Sequence, residues 1–436
     1  MGAFLHGLSR ISAGINGKPI PYDRGALRTA LPGYWPEDIV LVAIISALVF
    51  FALTYFLSPF LLWRSFFKVA RSVLFSRTLD LCGRLSMGMH LVKELLYLPV
   101  LVLFWFVDEI LWHSYRKTRV PAPVFVMSQP RSGTTFLLRT LASDEKSFFV
   151  LKHLDWRMPF ICFWKLIDAM GLRSRLERID YWPNTEIGRL ASKIHFHNLG
   201  SVEGHGVFFE ERMYHHYFTF RRFPLPEILQ RMSEANALTP REKKKIVGTL
   251  RKVVQKAAFY RGAGRFWLTK ENENVDLFRL VYEAFPDARF LVIVREPSAF
   301  VSSYVKMSDA CTTPKHGTDP NTIPGWYDAN LNFRREQCAQ HIAFCQELEK
   351  RGAITYVTFN QFTSDVSGTA AHIYEQMGIP MSPEFSAHLQ KLQAKQDGRV
   401  SGYVNPPSEE VGFEAYANFV AKASALSPEA QRAQAA

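Results

Sequence analysis

One short segment, residues 124–136, constrains the fold of this chain more than any other. Four apolar residues at 124–127 precede the sequence Ser-Gln-Pro-Arg-Ser-Gly-Thr-Thr at 128–135, and a helix-like apolar stretch begins at Phe136. A strand followed by a tight loop and a helix leaves successive backbone N–H groups at the helix N-terminus, where they bind anions. The segment therefore predicts an α/β fold that binds a phosphate or sulfate group.

The loop differs from the usual loop of nucleoside-triphosphate-binding proteins. That loop has the pattern G-x-x-x-x-G-K-[ST], in which the lysine contacts phosphates and the hydroxyl binds magnesium. Here no lysine follows Gly133, and no glycine lies five residues before it. Instead, Arg131 supplies a forked cation, and Ser132, Thr134 and Thr135 supply hydroxyl groups. The loop thus offers an anion site of a different kind.

A second strand that ends in an anion-binding residue lies farther along the chain. Residues 289–294 are mostly β-branched and aromatic, which is typical of a buried parallel strand. Arg295 follows this strand directly, and Ser303 lies eight positions later in a predicted helix. A bidentate arginine suits a tetrahedral phosphate better than a lysine does. The chain therefore carries two predicted anion sites, each after a parallel strand.

Together the two motifs resemble those of sulfotransferases that use PAPS (3′-phosphoadenosine-5′-phosphosulfate) as sulfate donor. The Pro130-Arg-Ser-Gly-Thr-Thr135 loop resembles their 5′-phosphosulfate loop, and Arg295 with Ser303 resembles their 3′-phosphate site. The sequence Phe285-Pro-Asp-Ala288 also matches the one that usually precedes the second strand. The resemblance covers roughly residues 123–413. It implies a P-loop-like α/β fold with a central parallel sheet flanked by helices, and PAPS as co-substrate.

Periodicity agrees with this fold class. In such folds the ligands bind at the carboxyl ends of the strands, where both motifs lie. The order of the strands cannot be read from the sequence. Apolar strands are predicted at 124–127, 290–294 and 354–359, and amphipathic helices at 242–260, 275–284 and 330–351.

The resemblance also implies two cationic catalytic residues. Arg131 stands where many relatives have a lysine that contacts the transferred group, so it is expected to stabilise the leaving group electrostatically. Lys270 lies where relatives carry a lysine in a K-x-P-x-H-like segment, but here the proline and histidine are absent. A lysine at the surface end of a strand is the alternative for Lys270.

The general base is expected in the histidine-rich segment 195–211. Glu203 is the first candidate, His205 the second, and Glu210 or Glu211 the third. No metal site is predicted, because the histidines at the start of this segment have no cysteine nearby and no third ligand in register.

A C-terminal loop is a further candidate for the cofactor site. Members of the family often close the cofactor with a basic, glycine-punctuated loop, and Arg399 and Tyr403 lie in such a stretch. A solvated loop without contact to the cofactor is the alternative. The catalytic domain is expected to span residues 121–415, followed by a tail at 416–436.

The N-terminal region has a different character. Residues 39–63 contain no charged residue, and a helix of this length spans a hydrocarbon core of about 30 Å. The run is too long and too far from Met1 for a signal peptide. It is therefore predicted to be a retained transmembrane helix that follows a tail at 1–38.

The next region, residues 64–120, is predicted to associate with the membrane. Basic and apolar residues alternate over 64–93, which favours an amphipathic helix on lipid headgroups. Residues 95–107 are uncharged but short for a span, so a re-entrant helix is expected. A second full span over 95–112 remains an alternative.

These features predict a single-pass integral membrane protein, and the lipid bilayer as one partner. The positive-inside rule places the catalytic domain in the cytosol, whereas membrane-bound relatives that act on glycans have luminal Golgi domains. The chain has five cysteines and no N-x-[ST] sequon, which leaves the Golgi, another endomembrane and the side of the catalytic domain open. The net charge of +12 suits a polyanionic cofactor, but the dispersed basic residues disfavour nucleic acid.

Three functions are compatible with the sequence. The favoured one is a membrane-anchored sulfotransferase that moves a sulfuryl group from PAPS to a hydroxyl or amine of a carbohydrate or lipid acceptor. A phosphotransferase with a degenerate loop predicts ATP binding and magnesium dependence. An inactive membrane adaptor of the same fold is disfavoured, because Arg131, Thr134, Arg295 and Ser303 are all present.

Overall fold

A computed structural model describes most of the chain and divides it into two compact units. The units are Met1–Leu53 and Thr54–Ala436. In the first unit, the described residues belong to a helix that begins at Pro36. The described residues are 36–56, 58–212, 225–227, 229, 238–262, 264–272, 274–316, 319–397 and 412–426.

A five-stranded parallel sheet forms the centre of the second unit. Its strand order is β2-β3-β1-β4-β5, so β1 lies in the middle. All four residues of β1 are buried, as expected for a strand covered on both faces. The sheet and its flanking helices confirm the predicted α/β fold. The strands are β1 Val124–Met127, β2 Phe148–Phe149, β3 Phe266–Glu271, β4 Arg289–Val294 and β5 Ile354–Thr358.

Helices cover both faces of the sheet and precede it in the chain. In chain order they are α1 Pro36–Tyr55, α2 Trp63–Phe75, α3 Leu81–Leu111, α4 Thr134–Ala142, α5 His153–Arg157, α6 Ile161–Ala169, α7 Arg173–Glu177, α8 Glu186–Ile194, α9 Gly206–Arg212, α10 Pro240–Ala257, α11 Val275–Ala284, α12 Pro297–His316, α13 Trp326–Glu349, α14 Phe359–Ser364, α15 Val366–Gln376, α16 Pro383–Asp397 and α17 Glu414–Ala425.

Strand register determines which residues meet at the carboxyl edge of the sheet. Val126 of β1 lies opposite Lys270 of β3 and opposite Leu291 of β4. Because the three strands are parallel, the residues that follow each of them emerge at the same edge. The loop after β1, the end of β3 and Arg295 after β4 are therefore neighbours.

Residues 39–63 do not form one helix, contrary to the prediction. Helix α1 ends at Tyr55 and α2 begins at Trp63. Pro59 lacks a backbone N–H and disfavours helical backbone before it, while the hydroxyl of Ser58 accepts the N–H of Phe60 at 3.1 Å. Of the helices in the described ranges, none is at once long and apolar enough to cross a bilayer. The predicted transmembrane helix and integral-membrane location are therefore wrong.

Helix α3 contains the uncharged run at 95–107 and packs on the catalytic domain. Asp80 caps its first turn by accepting the N–H of Gly83 at 2.7 Å. Near its end, the carboxylate of Asp108 accepts the N–H groups of Ile161 and Cys162, each at 2.8 Å. Asp108 also pairs with Lys256 of α10 at 2.9 Å, and both side chains are fully buried. One stripe of the run, with Leu98, Leu101 and Trp105, is therefore buried against the domain, whereas Leu96 and Leu103 are exposed.

Candidate active site

The loop after β1 has the backbone geometry of an anion cradle. The hydroxyl of Ser128 donates to the carbonyl of Ile293 and fixes the loop to β4. Arg131 has φ 67°, an uncommon value for a residue with a side chain, and such values cluster at functional sites. Gly133 is the N-cap of α4 and offers no side-chain acceptor to its first N–H groups. Those N–H groups remain available for an anion.

Two arginines bring positive charge to this loop. Nε of Arg131 donates to the hydroxyl of Ser303 at 2.8 Å, and Nη1 of Arg295 donates to the carbonyl of Arg131 at 2.8 Å. The guanidinium of Arg295 lies over the ring of Phe359 at 4.2 Å. Burial and the charge of Arg131 lower the pKa of Arg295. Within the described ranges neither arginine forms an ion pair with a carboxylate, so the positive charge is left for a ligand.

Glu203 and Lys270 form an ion pair on the opposite wall. Nζ of Lys270 lies 3.1 Å from Oε2 of Glu203 and donates to the hydroxyl of Thr135 at 2.9 Å. Burial alone acts to raise the pKa of Glu203, but Lys270 and the nearby histidines outweigh it, so the pKa lies well below its usual range. Glu203 is therefore ionised at neutral pH. Gly204 permits this approach, because a Cβ there would collide with the carbonyl of Lys270.

Two histidines lie beside Glu203. Nδ1 of His197 is 3.6 Å from Oε1 of Glu203, and His195 completes a group whose ligand atoms lie within 4.8 Å of one another. The structure thus places Glu203 beside His195 and His197 as a third side chain that could bind a metal ion, which the spacing in the sequence did not reveal. The Lys270 ammonium already provides a positive charge at this carboxylate.

These groups surround one cavity of about 420 Å³. The loop and α4 lie in the middle of the lining, with the end of β3 on one side and Arg295, which follows β4, on the other. Apolar side chains complete the lining. The cavity is lined by Arg131, Gly133, Thr134, Thr135, Phe136, Arg139, His195, Glu203, Gly204, Gly206, Val207, Lys270, Glu271, Asn272, Arg295, Met307 and Phe359.

Comparison with known proteins agrees with this site. The sequence profile of the sulfotransferase family matches residues 123–383, which is more than half of the chain. This chain belongs to the sulfotransferase family. Among curated proteins, sequence comparison finds no significant match.

Two solved mycobacterial structures share the fold of this sulfotransferase. The sulfotransferase STF1 of Mycobacterium tuberculosis H37Rv is 15% identical with a TM-score of 0.60, and the match covers 82% of this chain and 92% of STF1. The sulfotransferase STF9 of Mycobacterium avium is 13% identical with a TM-score of 0.60, and the match covers 81% of this chain and 89% of STF9. At such identities the likeness describes the fold alone.

Most of the residues that the sequence singled out meet in this sulfotransferase at the cavity. Ser303 binds Arg131 rather than Arg295, so the two predicted anion sites are contiguous. Ser132 is buried next to the cavity, and its hydroxyl has no hydrogen-bond partner in the described part of the chain. The residues of the prediction that line the cavity are Arg131, Gly133, Thr134, Thr135, Glu203, Lys270 and Arg295.

The other predicted residues lie elsewhere or outside the described ranges. His205 is fully buried behind the cavity, where its Nε2 bonds the carbonyl of Leu277 at 3.0 Å and burial lowers its pKa to about 3. The side chains of Glu210 and Glu211 lie outside the described residues, as do Arg399 and Tyr403. Their predicted roles remain predictions.

Sequence reasoning did not single out Asn272 and Phe359, which line the cavity, or His153, which contacts His197 behind it. The amide of Asn272 donates to the hydroxyl of Thr134 at 3.3 Å, and its place after the end of β3 was the available signal. Phe359 and His153 gave no signal. They reach the site only through the packing of β5 and of α5.

Proposed function

We propose that this sulfotransferase transfers a sulfuryl group from PAPS to a hydroxyl or amine of a carbohydrate or lipid acceptor and releases PAP. One observation carries the proposal: two arginines without carboxylate partners in the described ranges, Arg131 and Arg295, flank the uncapped N-terminus of α4. A doubly anionic nucleotide suits this arrangement, because forked guanidinium groups and backbone N–H groups both bind tetrahedral anions.

The residues fit a donor that is charged at both ends. The loop N–H groups, Ser132, Thr134 and Thr135 would hold the 5′-phosphosulfate. The buried hydroxyl of Ser132 has no hydrogen-bond partner among the described residues and would donate to this group. Arg295 and the adjacent Ser303 would hold the 3′-phosphate. Arg131 lies next to both groups and is assigned the role of stabilising the negative charge that develops on the leaving oxygen.

Glu203 is assigned as the general base that takes the proton of the acceptor. Its low pKa keeps it ionised but makes it a weak base. A weak base suffices here, because the acceptor oxygen becomes strongly acidic as its bond to sulfur forms. Lys270 then links the base to the donor loop, since it contacts both Glu203 and Thr135. Positioning and charge neutralisation supply the rest of the catalysis.

The acceptor would enter beside Glu203. The cavity lining also includes His195 and the apolar side chains of Val207 and Met307. Polar and apolar walls together suit an alcohol carried on a sugar or lipid. Its identity is a matter for acceptor screening.

The donor assignment is tested by thermal stabilisation of the purified protein with PAP, ATP with magnesium, and adenosine 5′-phosphosulfate. At a PAP concentration 100-fold above Kd, the expected stabilisation is about 2.7 kcal/mol. The stabilisation by PAP should vanish in Arg295→Ala. It should persist in Arg279→Ala, which removes an exposed arginine paired with Glu347.

Several outcomes would contradict the proposal. Equal stabilisation by ATP with magnesium would favour the phosphotransferase, since that enzyme needs no 3′-phosphate. Stabilisation by PAP without any release of PAP from PAPS, across a panel of sugar and lipid alcohols, would favour an inactive adaptor. Retained PAP stabilisation in Arg295→Ala would remove Arg295 from the donor site.

A further inference from the structure

Two buried histidines continue from Glu203 away from the cavity. Oε1 of Glu203 lies 3.6 Å from Nδ1 of His197, and Nε2 of His197 lies 2.6 Å from Nδ1 of His153. Each histidine is only 1% exposed. Lys270 holds the other carboxylate oxygen. The line of contacts thus runs from the cavity wall to two buried side chains.

Ring contacts orient the two histidines, and a main-chain bond holds their backbone in place. The two imidazoles meet edge to face at 89°, and the backbone N–H of His153 donates to the backbone carbonyl of Ser201 at 2.9 Å. The ring of Tyr181 packs against both histidines, with ring centroids 4.8 and 4.7 Å apart, and the backbone N–H of Tyr181 donates to the backbone carbonyl of His197. Because the bond at one ring nitrogen sets the tautomer and direction of the other, His153 determines what His197 presents to Glu203.

We propose that His153 and His197 are positioning residues for the base of the reaction. His153 fixes the ring of His197, and His197 in turn holds the carboxylate of Glu203 in the direction that faces the acceptor. This inference rests on the proposed function. It assigns a role to His153, which no motif in the sequence marks.

The electrostatics of the cluster are consistent with this role. Among the described residues, Lys270 of β3, His197 and His195 are charged or titratable neighbours that favour the ionised form of Glu203. On the side of His153, Asp155 is neutralised by Arg173 at 3.3 Å and Arg261 at 2.7 Å. The two histidines therefore face Glu203 without a competing carboxylate from Asp155.

Three variants, two at His153 and one at Tyr181, distinguish a positioning role of His153 from a role in packing alone. His153→Phe removes the hydrogen bond to His197, whereas His153→Asn keeps an acceptor near the place of Nδ1. Tyr181→Phe keeps the ring against both histidines and serves as the control. The readout is hydrolysis of PAPS to PAP and sulfate, with water as acceptor, and PAP affinity is measured in parallel.

The expected result is a split between turnover and binding. His153→Phe should lower kcat by at least about tenfold, because small misplacements of a catalytic group cost up to about 100-fold. PAP affinity should stay unchanged, and His153→Asn should recover most of kcat. In His197→Gln the acid limb of kcat should move to higher pH, since one positive neighbour of Glu203 is lost. An unchanged kcat in His153→Phe, or equal losses in His153→Asn and His153→Phe, would overturn the inference.

A second measurement needs no turnover. In nitrogen-15 spectra of histidine-labelled protein, the ring signals of His197 should shift in His153→Phe and stay in place in Tyr181→Phe. If the wild-type protein releases no PAP from PAPS, either with water or with the panel of sugar and lipid alcohols, the proposed function fails and these spectra alone decide the positioning. Unshifted His197 signals in His153→Phe would overturn it. So would one equivalent of copurified zinc whose removal abolishes turnover.

Discussion

At the scale of single residues, the anion loop depends on Gly133. Its φ is 92°, in the left-handed region that side chains rarely adopt. A Cβ at this position would lie 2.5 Å from Cδ2 of Phe359. Position 133 therefore requires glycine for two reasons: its left-handed backbone conformation, and the close approach of Phe359 in the helix after β5.

Gly133→Ala should abolish PAP stabilisation and lower the free energy of unfolding by about 2–3 kcal/mol, of which about 1–2 kcal/mol is the left-handed backbone. The control is Gly171→Ala, where φ is 64° but nothing lies within 4 Å of the added Cβ. It should cost only the backbone part and retain PAP binding. Chemical denaturation and thermal shift measure both effects. Equal losses in the two variants would show that the contact with Phe359 is unimportant.

Lys270 contributes most to keeping Glu203 ionised. In Lys270→Met burial still acts to raise the pKa of Glu203, while the strongest cationic neighbour of the carboxylate is lost. The acid limb of PAPS hydrolysis should move toward neutral pH, and kcat at pH 6 should fall by about 100-fold. Lys146→Met is the control, since Lys146 pairs with Glu384 at the same 3.1 Å on the exposed surface. An acid limb that does not move would separate Lys270 from Glu203 in function.

The ion pair of Lys270 and Glu203 also predicts how the free energy of unfolding depends on pH. A carboxylate whose pKa is depressed by folding stabilises the protein above its unfolded pKa of about 4.3, and this stabilisation is lost as pH falls through the folded pKa. Lys270→Met should therefore be destabilised most at neutral pH. The difference from wild type should shrink below about pH 4.

Among individual residues, the sequence correctly placed in the site those that directly follow a predicted strand. Gly133 and Arg131 lie in a loop between a strand and a helix, and Arg295 follows a strand directly, so periodicity sufficed to place them. His205 illustrates the limit. It lies two positions after Glu203, yet the turn into α9 directs it to the carbonyl of Leu277. Adjacency in sequence does not tell which of two side chains faces the cavity.

At the scale of elements, strands were predicted better than the N-terminal helices. Short β-branched runs identified β1, β4 and β5 within one residue, because a buried strand needs continuous apolar character. The uncharged run at 95–107 has the same composition whether a lipid or a protein covers it. Hydropathy alone does not show whether such a run packs on lipid or on the rest of the protein. Here the contacts of Asp108 show that α3 packs on the protein, because its carboxylate accepts two N–H groups of α6 and pairs with the ammonium of Lys256.

The Asp108–Lys256 pair should therefore hold α3 onto the domain. Lys256 also lies 3.7 Å from the centre of the Trp105 ring, and burial lowers its pKa to about 8. Lys256→Met leaves a buried carboxylate without its cation and should cost about 3–5 kcal/mol in urea denaturation. The double variant Asp108→Asn with Lys256→Met should recover part of this loss.

The control for this pair lies on the same helix. Lys243 of α10 pairs with Glu283 of α11 on the half-exposed surface. Lys243→Met should cost at most about 1 kcal/mol, because solvent screens such a pair. If both lysine variants lost equally little, the buried pair would not be what attaches α3.

At the scale of the whole molecule, the region that matches the family is smaller than the unit that packs together. The match begins at residue 123, whereas the compact unit begins at Thr54. Helix α3 contributes Leu98, Leu101 and Trp105 to the buried interior. Its loss would expose these contacts and would leave Lys256 buried without Asp108. The sulfotransferase region is therefore expected to need the preceding helices in order to fold.

Two truncations test this dependence. A chain of residues 54–436 should unfold cooperatively and keep its stabilisation by PAP, because it contains the whole compact unit. A chain of residues 118–436 should aggregate or unfold at a lower temperature, since the apolar face that receives α3 becomes exposed. Adding Lys256→Met to the shorter chain removes the unpaired ammonium and isolates the effect of the apolar surface. If residues 118–436 alone bound PAP with the stability of residues 54–436, α2 and α3 would be appendages rather than parts of the core.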